Sequence, residues 1–328
     1  MPTQFSLINL DNKNQWDEIN ACGPHSIYHT WEYCNCLKSH YKSPIELLNL
    51  RNNDSGLTLI FTRRSKNGKN FDIQSIYGFG GYLFWGDIDN HFLESLDDFM
   101  ISKKIVSAYI MGYPNGGHAL APFAENGRTI YLINLRQELS DIFQNMHENH
   151  RYEIRRSLKC KNIKFIKDKD ITEKAFYELY DQTLLRTNAK KTYHFSKKTL
   201  SSLIESNFSQ LFGLSINGEV EACTLILNHQ NTSEYFLNAS SEKGRLHSRM
   251  LLWKIIEILK RDGDQLLNLG GGIKEKDSLD SFKRKFGGKS EYIPVFKKVF
   301  DTRNYNLLCK DFVNDIDSPS NTFPPYWN

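Results

Sequence analysis

Asn217-Gly218 stands between two apolar runs, 211–216 and 220–227. A tight two-residue hairpin turn needs positive φ at both central positions, and Asn-Gly supplies that at little cost. The segment is therefore expected to be an antiparallel hairpin, and its neighbours must complete a sheet around it. The cluster Asn52-Asn53-Asp54-Ser55-Gly56 likewise separates strand-like runs at 45–50 and 57–61, and Asn67-Gly68 precedes another at 71–77.

Helical spacing alternates with these runs. Helices are expected near 30–38 and 91–100, with strands at 105–111 and 129–135. Leu139, Ile142, Phe143, Met146, Ile154 and Leu158 fall on one face of a single long helix. A strand at 163–166 and helices at 172–186 and 197–204 lead to the hairpin. A strand at 235–239 follows, then a helix with Ser248 as N-cap, stopped at Asp262-Gly263. A strand at 266–269, a short helix carrying Leu279, Phe282 and Phe286, and a strand at 292–300 complete the order. Each half reads helix, strand–turn–strand, helix, strand, with no short repeat. The expected fold class is α/β (α+β): two tandem units with mixed, mostly antiparallel sheets flanked by helices. The expected division is 1–138, 139–313 and a loose tail at 314–328.

The chain of 328 residues is long enough for two such units. An aromatic content of 13% supplies a core without covalent staples. Six scattered cysteines form no ligand or disulfide pattern, so a reduced, cytoplasmic protein without a metal is expected. No run approaches the ~20 apolar residues of a membrane span, and the first residues do not read as a signal peptide. A net charge of +4 excludes a dedicated DNA-binding role but leaves room for a local basic patch.

Four segments could carry chemistry. Arg151 and Arg155 share a face of a basic helix and could grip phosphate or carboxylate, or simply be solvated. Gly270-Gly271-Gly272 directly after a strand lets a ligand or another backbone approach closely. Lys283 and Arg284 lie between Phe282 and Phe286, and a lysine against an apolar wall could stabilise an oxyanion. Gly244, Arg245 and Ser248 sit at a helix start, where anions bind. The glycine-rich loop at 77–82 lacks the dinucleotide order.

The order of Asn149-His150-Arg151-Tyr152-Glu153-Ile154-Arg155-Arg156-Ser157, Arg186, Tyr193-His194-Phe195, Leu237-Asn238-Ala239-Ser240, Leu251-Leu252-Trp253, Leu269-Gly270-Gly271-Gly272 and Phe282-Lys283-Arg284-Lys285-Phe286-Gly287 resembles the GNAT-fold branch that contains the Fem-type peptidoglycan-bridge aminoacyltransferases. Thr30-Trp31-Glu32-Tyr33 and the 77–82 loop match more loosely. The resemblance implies twin GNAT-like domains and transfer of an acyl group to an amine. It implies an acyl-CoA or aminoacyl-tRNA donor and no bound cofactor. Phe282-Lys283 matches the family's Phe-Lys pair, whose lysine offsets charge on the tetrahedral intermediate. Arg151, Arg155, Arg186, Tyr193, Asn238, the three glycines and Arg284 would contact substrate, and Gly244, Arg245 and Ser248 the donor.

The sequence departs from that pattern in two ways. It lacks the long helical-hairpin insertion, and Leu37 stands where a lysine is expected. The expected acceptor is therefore a small or carrier-linked amine, an amino sugar of a surface polysaccharide, with the peptidoglycan-bridge reaction as alternative. The Arg/Gln-x-x-Gly-x-Gly/Ala loop of CoA users is absent: Ser241 stands three before Gly244 and Leu246 two after it. The donor expectation nevertheless leans to a CoA thioester, with tRNA held through 151–164 as the other choice. A non-catalytic binding module of the same fold is the reading from a different class.

Overall fold

The structure, a computed structural model, describes residues 4–23, 25–52, 55–86, 89–114, 124–273, 276–312 and 323–327. The chain forms two compact units, residues 1–127 with 293–328, and residues 128–292.

In the first unit, β1 (Gln4–Asn9), β2 (Ile45–Arg51), β3 (Gly56–Arg64) and β4 (Phe71–Gln74) pair antiparallel in that order. The short β5 (Tyr82–Trp85) adds to β3. β6 (Ile105–Met111) then returns parallel to β4. The helices α1 (Lys13–Ala21), α2 (Trp31–Leu37) and α3 (Asn90–Ser102) accompany this sheet. Phe92, Leu96 and Met100 of α3 recur at helical spacing and are buried with Leu48, Leu57, Phe61 and Ile110.

β7 (Ala124–Asn134) leads into the second unit, where α4 (Leu139–Asn145) and α5 (Glu148–Leu158) follow. β8 (Ile163–Ile166), α6 (Lys169–Thr187), α7 (Lys197–Glu205), β9 (Ser209–Ile216), β10 (Glu219–His229) and β11 (Thr232–Ser240) come next, with β8, β9, β10 and β11 antiparallel. A single turn, α8 (Glu242–Arg245), and α9 (Ser248–Arg261) cross to β12 (Leu266–Asn268), parallel to β11 and antiparallel to β7. α10 (Ser278–Arg284) precedes β13 (Lys289–Val299), whose second half pairs with β6 of the first unit, and α11 (Thr302–Phe312). Each unit thus has four antiparallel strands, a helical crossover to a parallel strand, and a closing antiparallel strand. That is the duplicated, mixed and mostly antiparallel architecture the sequence predicts.

The Asn217-Gly218 hairpin forms with φ of 55° and 94°. A Cβ at Gly218 would meet nothing within 4 Å, so its φ and not its size is what the turn needs. Three other expectations change. The single helix over 139–158 is two: Met146 is extended at ψ 149°, and His147 caps α5 by accepting from the Asn149 amide. The His147 amide itself donates to the Lys285 carbonyl at 2.9 Å, so a remote turn holds the break open. At Ser248 the N-cap is instead His247, because Ser241 caps the extra turn α8 first. The units also divide ten or so residues before the expected boundary, since β7 pairs with β12, and residues from 293 return to the first unit.

The expected loose tail is partly outside the described residues, but its end is anchored. Tyr326 is buried against Val106 and Leu308. Its hydroxyl and the Trp327 indole N–H each donate to the buried Asp72 carboxylate at 2.7 Å.

Candidate active site

β11 and β12 pair for only three residues, 232–234 against 266–268. Beyond Asn268 the chain stays with β7: the Leu269 amide donates to the Tyr131 carbonyl at 2.9 Å, and the Tyr131 amide to the Gly270 carbonyl at 3.3 Å. β11 meanwhile continues with β10 as far as Ser240. The two parallel strands therefore part, leaving a wedge between 235–240 and 269–272. The glycines follow from this course. Gly270 has φ +66°, and a Cβ on Gly271 would lie 2.1 Å from the Thr129 carbonyl oxygen. Gly272 is half-buried beside them.

Lys283 spans the wedge. It projects from α10, is 7% exposed, donates to the Gly271 carbonyl at 2.9 Å and lies 5.9 Å from the Tyr235 ring on β11. Among the described residues no carboxylate oxygen lies within 4.0 Å of its ammonium. Burial pushes its pKa down to about 8, against the opposing fields of Asp277 and Asp280. Tyr235 shares a hydrogen bond with Thr224, whose hydroxyl donates to Asn238 Oδ1 at 2.8 Å. Lys283, Gly271, Tyr235, Thr224 and Asn238 thus form one connected polar group.

α10 is fixed at several points. Asp277 caps it through the Asp280 amide at 2.7 Å, and buried Asp280 accepts from the Tyr131 hydroxyl at 2.9 Å. Burial and, second, that carboxylate push the Tyr131 pKa up to about 12. Phe282 packs against His150 with the rings tilted and against Phe286 edge to face, with ring centroids 5.6 and 5.3 Å away. His150 is 1% exposed; its Nε2 lies 3.0 Å from the Phe282 carbonyl, and its Nδ1 accepts from Arg249 Nε at 3.2 Å. Burial pushes its pKa down to about 4, so the ring is neutral near pH 7.

The other sequence-derived residues are distributed around this group. Arg151 Nη1 donates to the carbonyls of Gln144 and Met146 at 2.7 and 2.5 Å, closing the end of α4. Arg155 lies 5.0 Å from the Phe143 ring. The two therefore share a face, as spacing requires, but that face is turned toward α4. Arg186 donates to the Ser240 carbonyl at 3.0 Å and pairs with Glu242 at 3.4 Å, tying α6 to the end of β11. The Tyr193 carbonyl accepts from the Tyr180 hydroxyl at 2.5 Å. Arg284 is exposed.

At the helix start, a Cβ on Gly244 would lie 1.8 Å from the Glu221 carbonyl oxygen, so this glycine serves close backbone packing. The amides of Gly244, Arg245, Leu246 and His247 are spent on Ser241 Oγ and on the carbonyls of Ser241, Lys243 and Gly244. Arg245 pairs with Glu242 at 2.9 Å, and Ser241 donates to the Glu221 carboxylate. Ser248 is half-buried in the first turn of α9.

Sequence reading missed Tyr131, His150, Thr224, Tyr235, Arg249 and Asp280. His150 lay inside a quoted motif but carried no ligand spacing; the others come together only through pairings far apart in the chain.

Among solved structures, the chain is similar to FemX, with a TM-score of 0.67 at 14% identity over 93% of this chain and 99% of that one. It is also similar to the C-terminal domain of a putative lysylphosphatidylglycerol synthetase from Agrobacterium fabrum. That match has a TM-score of 0.58 at 11% identity over 88% of this chain and 91% of that one. A tandem GNAT protein from the clavulanic acid biosynthesis pathway matches with a TM-score of 0.50 at 9% identity, over 91% and 99% of the two chains. No family model matches the sequence, and no curated protein does. The fold is thus similar to that of FemX and of the tandem GNAT protein. Among the described residues no helix is long and apolar enough to cross a membrane.

Proposed function

We propose that this protein is an N-acyltransferase that forms an amide on an amino group of a cell-envelope precursor, an amino sugar of a surface polysaccharide. The observation that carries this reading is Lys283: a buried ammonium with no carboxylate oxygen within 4.0 Å among the described residues, placed where two parallel strands part. The acceptor nitrogen attacks the donor's carbonyl carbon, negative charge moves onto the carbonyl oxygen, and the donor's oxygen or sulfur leaves as the amide forms. A cation fixed in a water-poor wedge stabilises that charge without reorganising. The proton lost by the amine passes to a substrate group or water.

The fold alone does not select this chemistry, because similar structures include a putative lysylphosphatidylglycerol synthetase domain and a clavulanic acid pathway protein. The donor is the finer question. A coenzyme A pyrophosphate needs free amides at the turn before α9. Here four of those amides are already bonded. These observations favour an ester donor of the aminoacyl-tRNA type over the CoA thioester that the sequence favoured.

The test is an assay of the purified chain with acyl-CoAs and with aminoacyl-tRNAs, each beside a nucleotide-linked amino sugar, read by mass spectrometry. Amide product from an aminoacyl-tRNA, lost about 100-fold or more in kcat for Lys283→Ala, is the expected result. A Lys283→Ala enzyme with wild-type turnover would overturn the assignment. With saturating acceptor, kcat should fall as pH rises through about 8, where Lys283 loses its charge. A rate that instead rises through that pH would make Lys283 a base.

A further inference from the structure

The buried imidazole of His150 has no place in the reaction just described, yet its hydrogen bonds are fully assigned by chemistry. Arg249 Nε can only donate, so His150 Nδ1, 3.2 Å away, is the acceptor. The neutral ring must then carry its proton on Nε2, which donates to the Phe282 carbonyl at 3.0 Å. Phe282 immediately precedes Lys283. The ring itself is gripped by aromatic edges, with centroids 5.6 Å from Phe282 and 4.8 Å from Phe286. Arg249 in turn lies 6.0 Å from the Phe282 ring, so its guanidinium is fixed by the element that it helps to hold.

We infer that His150 is a positioning residue for Lys283, with Arg249 and the Phe282 carbonyl together fixing its tautomer, so that the α10 turn delivers the ammonium to the Gly271 carbonyl and the Tyr235 ring. This rests on the acyl-transfer reading only for its effect on rate. The mechanical part stands on geometry. α10 is seven residues long and too short to hold its own position. Its start is fixed by Asp277 and the Tyr131–Asp280 bond. Its end, where Lys283 sits, is fixed by the Phe282 carbonyl on His150 and by the Lys285 carbonyl, which accepts from the His147 amide. A displacement of about 1 Å in a charged group that must meet a reacting carbonyl costs on the order of 100-fold in rate. The charged and titratable groups around the imidazole are Arg249, Lys285 and His147, all cationic or potentially so. They, with burial, keep the ring neutral and hence able to accept from Arg249. The groups facing Lys283 are Asp277, Asp280 and Tyr235.

The experiment compares His150→Phe, which keeps a ring but removes both hydrogen bonds, with His150→Gln, which keeps a donor and an acceptor. The Lys283 titration is read by NMR of the full-length chain carrying isotopically labelled lysine, beside kcat and KM. In His150→Phe the Lys283 pKa is expected to move up toward its ordinary value of 10.5 as the turn loosens and water enters. The value of kcat should fall by about tenfold or more with KM little changed. His150→Gln should restore both. A folded His150→Phe chain whose Lys283 titrates as in the wild type would overturn the inference. If His150→Phe does not fold, Arg249→Met supplies the second arm. It removes the donor to His150 Nδ1, while the Phe282 carbonyl still holds the Nε2 proton, and should raise the Lys283 pKa. An unshifted lysine in that variant would also overturn the inference. An inactive wild type would refute the acyl-transfer reading alone, because the titration does not depend on turnover.

Discussion

Lys283 and His150 both exist in the fold at the expense of stability, and in opposite pH ranges. The unfolded chain keeps the Lys283 proton up to about 10.5, whereas the folded chain releases it near 8. Between those values the unfolded state binds more protons, so stability rises with pH there. At pH 7 the buried ammonium costs roughly 3 kcal/mol by this shift. Lys283→Met should therefore be more stable than the wild type near neutrality, and its advantage should shrink from pH 8 to 10.5. Urea denaturation of both proteins across that range checks this; an unstable Met variant at pH 7 would show that the ammonium is not strained. His150 behaves in the acid range. Its ordinary pKa of 6.5 is pushed to about 4, so the unfolded state takes up the proton first as pH falls. Stability should drop by about 1.4 kcal/mol per pH unit between 6.5 and 4, and His150→Gln should remove that part of the slope. Identical acid profiles for the two proteins would count against a neutral buried ring.

At the scale of elements, the legible parts are those whose cause is local. The hairpin at Asn217-Gly218 needs only its own two residues. α9 shows its buried face, Leu251, Leu252, Ile255, Ile256 and Leu259, in its own periodicity, and Gly263 ends it at φ +99°. The α4–α5 break is different. Apolar residues continue across it at helical spacing, and only the Lys285 carbonyl and the close approach of Gly287 to the Asn145 carbonyl, with a Cβ at 2.1 Å, show why the helix stops. The site divides in the same way. Lys283 and the three glycines were visible as motifs, while Tyr235, Thr224 and Tyr131 are ordinary strand residues until pairing brings them together. The same logic reassigns the basic helix. Arg151→Ala should cost on the order of 1 kcal/mol, since it strips a charged donor from the carbonyls that end α4. The salt dependence of substrate binding should be unchanged. A large loss of affinity without loss of stability would restore the phosphate-gripping role that its spacing suggested.

Over the whole molecule, the two units share a strand order but treat their parallel pair differently. In the second unit β11 and β12 part after three residues. In the first, β4 and β6 stay joined: the Ser75 amide donates to the Tyr109 carbonyl at 3.1 Å, and the Gly81 amide to Met111 at 2.8 Å. Gly81 permits this, because a Cβ there would lie 2.0 Å from the Met111 carbonyl oxygen. The glycine-rich loop thus closes in the first unit the gap that in the second receives Lys283. The chain's end reinforces the closed pair, since Asp72 of β4 accepts from Ser107 of β6 and from Tyr326 and Trp327. A chain ended at residue 312 would leave the Asp72 carboxylate, 2% exposed in the full chain, with Ser107 as its one side-chain donor among those three. It would also strip Arg64 of the indole ring 4.3 Å away. Hydrogen bonds to a charged group contribute about 1.5–3 kcal/mol each, so losing two should destabilise the first unit by several kcal/mol. Amide hydrogen exchange is the measurement that resolves it. Protection should fall in β4 and β6 and persist in β10 and β11. Unchanged exchange in β4 and β6 would mean that water replaces the two lost donors, and that the closed pair holds without the clasp.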